Sequence, residues 1–139
     1  MTRDFNILVH HQEGEIALAR LKEAGYRRVS ELSIPGYMFY PPDGTEVDLL
    51  LIPFPWIEEA LQPGRTDAAG YPVLDLPYLV LMKMETSRTQ DLADLSKMLG
   101  LANEEDLRLV RETVARLMPD AAEDLESVIH LGGLEINGT

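Results

Sequence analysis

The side chains that could do chemistry in this chain are a few acids and amides set into apolar strands. Asp48 is a carboxylate inside the otherwise apolar run Thr45-Glu46-Val47-Asp48-Leu49-Leu50-Leu51-Ile52-Pro53. Asp4 and Asn6 stand two apart in Thr2-Arg3-Asp4-Phe5-Asn6-Ile7-Leu8-Val9. Residues two apart on a strand point to the same face. If the two stretches are neighbouring strands, Asp4, Asn6 and Asp48 converge and open into a shared cleft near Lys83. A carboxylate buried among apolar side chains is costly unless it has a partner. Asp48 therefore reads as a metal or nucleotide ligand, or else as a solvent-facing group at a strand edge. Asp4 and Asn6 have their own plain reading, as polar groups at the start of a strand.

Several cations and acids lie further on. Lys83 sits on a segment too apolar to be exposed all round, Tyr78-Leu79-Val80-Leu81-Met82-Lys83-Met84. It either reaches a phosphate or forms a structural ion pair with Asp48 or Asp4. Arg88 falls in a turn between helices, where it contacts phosphate or is solvated. Asp91 and Asp94 open the next helix, and the helix dipole alone accounts for acids there. His10 and His11 are adjacent, so on a strand they face opposite ways and do not readily share an ion. No Gly-x-Ser-x-Gly nucleophile turn, Walker loop or dinucleotide fingerprint occurs.

The elements that must position these residues follow from periodicity and punctuation. Phe5–Val9 reads as an interior strand. Residues 13–24 read as a helix on Ala17, Leu18, Leu21 and Ala24, stopped by Gly25. Residues 26–34 read as extended, with Val29 and Leu32 inward. The runs 37–40 and 46–52 flank Pro41-Pro42-Asp43-Gly44, a turn in which Pro fixes φ and Asp-Gly tolerates positive φ, so they form an antiparallel hairpin. A short helix is expected over 56–61, a loop over 62–70 and an edge strand over 71–74. Asp75 is expected to cap a buried helix from Leu76. Gln90 to Leu99 reads as a helix capped by Thr89, with a Leu92, Leu95 and Leu99 stripe, ended by Gly100. Asn103 with Asp106 opens another, buried through Leu107, Val110, Val114 and Leu117. Asp120 with Glu123 opens the last, through Leu125, Val128 and Ile129. Strands first and helices second make an α+β chain.

At 139 residues the chain fits one domain, expected over 1–131, with a loose tail over 132–139. Its hydrophobic content of 45% supports a core. No window approaches the roughly 18 apolar residues of a membrane span. The first residues enter strand pattern directly, without a signal-peptide pattern. The absence of cysteine excludes disulfides and thiolate metal sites and suits a cytoplasmic protein. The net charge of −12 repels phosphate backbones and disfavours broad nucleic-acid binding.

Taken together, these segments resemble the nucleotidyltransferase fold, in particular minimal nucleotidyltransferases and small bacterial relatives of the abortive-infection toxin nucleotidyltransferases. The resemblance lies in Thr2-Arg3-Asp4-Phe5-Asn6-Ile7-Leu8, in Val47-Asp48-Leu49-Leu50, and in the segment from Tyr71 to Leu99. That last segment places Lys83, Arg88 and Asp91-Leu92-Ala93-Asp94-Leu95 in order. The resemblance implies a small mixed or antiparallel sheet with a helical C-terminal half. It also implies transfer of a nucleoside monophosphate from a triphosphate to a hydroxyl, with carboxylates holding Mg²⁺. Asp4 and Asp48 would be the catalytic, metal-holding residues. Asn6, Lys83 and Arg88 would contact the nucleotide or its metal.

The chain departs from the family pattern at two places. Asn6 stands where the family has a second Asp, and the Gly-Gly or Gly-Ser loop that precedes the acidic pair has no counterpart. Two readings follow. One is a reduced, catalytically impaired relative that binds a nucleotide or a protein partner, in a toxin–antitoxin or phage-defence setting. The other is an active Mg²⁺-dependent nucleotidyltransferase. A strand edge left open by the missing elements would favour a homodimer.

Overall fold

The computed structural model of the chain describes residues 5–42, 44, 46–62 and 73–136. Asp4, Asp43, Thr45, Tyr71, Pro72 and residues 137–139 lie outside the described residues, and with them the expectations placed there. The fold is α+β, with a four-stranded mixed sheet early and helices filling the C-terminal half. Contacts gather into two compact units, Met1–Leu61 and Gln62–Thr139.

The first unit contains β1 (Phe5–Leu8), α1 (Gly14–Glu23), β2 (Arg27–Glu31), β3 (Gly36–Tyr40), β4 (Val47–Leu50) and the short α2 (Ile57–Ala60). The strand order is β1-β4-β3-β2. β4 is buried at all four positions, as expected for a continuous apolar run in a sheet interior. It pairs antiparallel with β3, completing the expected hairpin, and parallel with β1. A 3-10 turn, His11–Glu13, leads into α1. Gly25 ends α1 at φ +89°. There the Gly25 N–H donates to Lys22 O and the Tyr26 N–H to Leu21 O, a Schellman closure that a residue with a Cβ adopts only at a cost.

Val29, expected inward, is 45% exposed. The β2–β3 register shifts between Arg28 and Ser30. This bulge takes Val29 out of the ladder on the edge strand, a common way of blunting an edge.

The second unit contains α3 (Leu76–Thr86), α4 (Thr89–Leu101), α5 (Glu104–Leu117) and α6 (Ala122–Ile136). Val80, Leu81, Leu95, Leu99, Val110, Val114 and Leu125 are its fully buried apolar residues. Asn103 caps α5 by accepting from the Asp106 N–H at 2.8 Å, as its spacing predicts.

Several expectations need correction in this unit. Val73 and Leu74 form no strand. Asp75 occupies the N-cap position of α3 but its side chain makes no capping hydrogen bond. α4 starts at Thr89 with Arg88 as its N-cap, because the Asp91 carboxylate reaches back to the Arg88 N–H. Leu92 is 46% exposed, so the buried stripe of α4 runs through Leu95 and Leu99 without it.

Gly100 does not stop α4, and Gly132 does not begin a loose tail. A Cβ on Gly132 would lie 2.2 Å from Ser96 O, and one on Gly100 2.5 Å from Gly132 O. The two glycines thus let the α4 and α6 backbones touch. The tertiary contact offsets the weak helix propensity of glycine and carries α6 on to Ile136. Among the described residues no helix is long and apolar enough to cross a membrane.

Candidate functional site

The parallel pairing of β1 with β4 sets Asn6 directly opposite Asp48, and the β3–β4 pairing sets Met38 opposite Asp48 on its other side. Residues in register share a face, on strands about 4.8 Å apart. Asn6, Asp48 and Met38 therefore form one row across the sheet. Val47 and Leu49 alternate to the other face of β4. Asp48 is only 6% exposed. The Asn6 Oδ1 atom is buried and has no hydrogen-bond partner among the described residues. A buried carbonyl oxygen left unsatisfied costs about 1–3 kcal/mol. Such atoms are where a ligand's donor or cation finds room.

The donor set in this row is one carboxylate and one neutral amide oxygen. Both are hard oxygen ligands of the kind Mg²⁺ takes, alongside waters and phosphate oxygens. Asp48 and Asn6 are the residues of this row that could hold such an ion. Asp4, the other acid named from the sequence, lies outside the described residues. No group of three or more His, Asp or Glu suited to a metal ion occurs among the described residues.

Lys83, Arg88, Asp91 and Asp94 meet in the second unit. The 6%-exposed Lys83 donates from Nζ to Asp94 Oδ2 at 3.0 Å and lies 3.6 Å from Asp91 Oδ1. Arg88 grips Asp91 through Nε to Oδ2 at 2.8 Å and through Nη2 to Oδ1 at 3.4 Å. Thr86 Oγ1 donates to Asp91 Oδ2 at 2.7 Å. Asp91 itself is 1% exposed. Burial pushes its carboxyl up, but the Arg88 and Thr86 hydrogen bonds and the charges of Arg88 and Lys83 outweigh that and hold it below the ordinary carboxylate range. The helix dipole is thus not the whole account of Asp91. It ties the end of α3 to the start of α4, while Ser87, at φ +45°, turns the chain between them. Two cations against two acids leave the cluster with no net charge, and both sequence-named cations are held by carboxylates within it.

A scan against protein-family models gives no match, and neither does a comparison with curated proteins.

Residue roles therefore rest on the geometry of this chain alone. His10 Nδ1 accepts from the Gln12 N–H at 3.2 Å, which caps the 3-10 turn, and His10 Nε2 lies 3.6 Å from Glu58 Oε1. The His10 and His11 rings stack at 4.6 Å. Sequence reasoning overlooked Asp91 as a hub, although a carboxylate at N3 is spaced to accept from the N-cap N–H, as Asp91 does from Arg88. It also passed over the basic residues around the end of α1, Arg20, Lys22, Arg27 and Arg28.

Proposed function

We propose that the protein is a nucleotidyltransferase-like binder of a metal–nucleotide that does not turn its ligand over. The observation that carries this reading is the register of Asn6 on Asp48: two oxygen donors side by side on one face of the sheet, one with an unsatisfied atom. Phosphoryl and nucleotidyl transfer depend on enough negative charge to fix metal ions between attacking and leaving oxygens. Asn6 supplies an oxygen but no charge, so the pair would hold a cation weakly and favour binding over chemistry. Nucleotide occupancy would then act through a protein partner, and the toxin–antitoxin or phage-defence setting belongs to this reading by resemblance.

Titration calorimetry of the full chain with Mg-ATP tests it. Binding that depends on Mg²⁺ is expected for the native chain, is lost in Asp48→Asn, and tightens in Asn6→Asp, where the missing charge is restored. A transfer assay with α-labelled nucleoside triphosphate should show no product in the native chain. Turnover that disappears in Asp48→Asn would instead establish an active Mg²⁺-dependent nucleotidyltransferase. Equal Mg²⁺-dependent ATP binding by native chain and Asp48→Asn would remove the site altogether.

A further inference from the structure

In this acidic chain, four of the 12 Lys and Arg residues fall within residues 20–28: Arg20, Lys22, Arg27 and Arg28, against Glu23 alone. Lys83, Arg88, Arg108 and Arg111 each hold a carboxylate. Among the described residues none pairs with Lys22, Arg27 or Arg28. These three line a cavity of about 490 Å³ with Leu18, Tyr26 and Phe39. Such a volume is in the range of small-molecule sites. The Arg28 guanidinium carbon also lies 5.0 Å from the centroid of the Tyr37 ring, which steadies it as a cation–π pair.

The position of the cavity separates it from the Asp48 row. Phe39 alternates with Met38 along β3, and it is Met38 that stands opposite Asp48. The cavity and the Asn6–Asp48 row therefore lie on opposite faces of one sheet. The Schellman closure at Gly25 brings Lys22, near the end of α1, and Arg28, opposite Phe39 on β2, to the same rim, while Arg27, opposite Tyr40, alternates to the other face. The floor is aromatic and aliphatic, and the rim is cationic.

We propose that this cavity binds a small organic phosphate bearing an aromatic or heterocyclic ring, of the nucleoside mono- or diphosphate class, without a metal ion. Arg28 would take phosphate oxygens in a forked, charge-assisted hydrogen bond. Lys22 adds a point charge, and the ring rests on Tyr26 and Phe39. The surrounding excess of acid excludes extended polyanions, while the local cluster and closed floor suit a compact one. This inference is independent of the proposed function: it uses none of the same residues and needs no divalent cation.

Calorimetry of the full chain in EDTA tests the proposal, with ADP, inorganic pyrophosphate and a 5′-phosphorylated single-stranded oligonucleotide as probes. ADP should bind, pyrophosphate should bind more weakly for want of a ring, and rising salt should weaken both. Lys22→Ala and Arg28→Ala should each weaken ADP about tenfold or more. Arg28→Lys, which keeps charge and loses the fork, should fall between, and guards against a folding defect. Asp48→Asn should leave metal-free ADP binding unchanged even if it abolishes Mg-ATP binding. Absence of ADP binding at millimolar concentration in EDTA would overturn the proposal. So would loss of that binding in Asp48→Asn, or an oligonucleotide that binds far more tightly than ADP.

Discussion

The Asp91 cluster and the Asn6–Asp48 row treat buried polar groups in opposite ways. In the helical unit, Asp91 is more deeply buried than any other acid among the described residues and is fully engaged, with Arg88, Thr86 and Lys83 around it. In the sheet unit, the Asn6 carbonyl oxygen is buried and has no hydrogen-bond partner among the described residues. A closed, neutral network of this kind locks a turn and leaves little for a ligand to gain. An oxygen left over beside a carboxylate is a stability cost that a ligand can relieve. The contrast separates structural from functional polarity better than residue type does, since both regions were singled out in the sequence for the same carboxylates and cations.

The largest test of this contrast is Asp91→Ala. Removing the buried carboxylate takes the anchor from Arg88 and Thr86 and leaves Lys83 with Asp94 alone, and about 3 kcal/mol of stability should be lost in urea unfolding. A loss below about 1 kcal/mol would mean that the network is not closed. The same carboxylate should show in the pH dependence. Its folded pKa lies below the unfolded value of about 3.9, so its contribution is complete above that pH and fades as pH falls through the lowered folded value. The stability difference between the native chain and Asp91→Asn should accordingly be constant near neutrality and shrink below about pH 4.

Next in size is the glycine contact in the helical unit. Gly132→Ala places a methyl against Ser96 O and should cost about 1–3 kcal/mol in thermal unfolding. Gly133→Ala, next along α6, meets nothing within 4 Å and should be neutral or stabilising by up to about 1 kcal/mol. Equal effects would show that the two helices do not touch backbone to backbone. The smallest expected change is Asn6→Leu. Replacing an unsatisfied amide by an apolar side chain of similar size should shift stability by no more than about 1 kcal/mol in urea unfolding, and in the favourable direction. A loss as large as that of Asp91→Ala would make Asn6 a structural residue like Asp91 and end the contrast.

Much of the local structure was legible because its causes are local. Asn103 three residues before Asp106 specifies a cap whatever the rest of the chain does. The Pro-Gly punctuation around residues 41–44 specifies a hairpin between β3 and β4. Val29 and Leu92 were misread because a strand or helix has two sides, and periodicity does not say which one an edge bulge or a neighbouring helix will cover. Gly100 and Gly132 read as stops because glycine is a poor helix former by itself, and only a helix crossing reverses that.

By itself, then, the amino-acid order determined the α+β class, the span of most helices, the β3–β4 hairpin and the presence of polar residues within the apolar strands β1 and β4. Tertiary structure alone decided that Asp91 would be enclosed by Lys83, Arg88 and Thr86, that Asn6 would face Asp48 in register, and that Lys22 and Arg28 would share a rim. Propensity and capping act over three or four residues, whereas the cost or benefit of a buried charge depends on what other segments bring within about 4 Å of it.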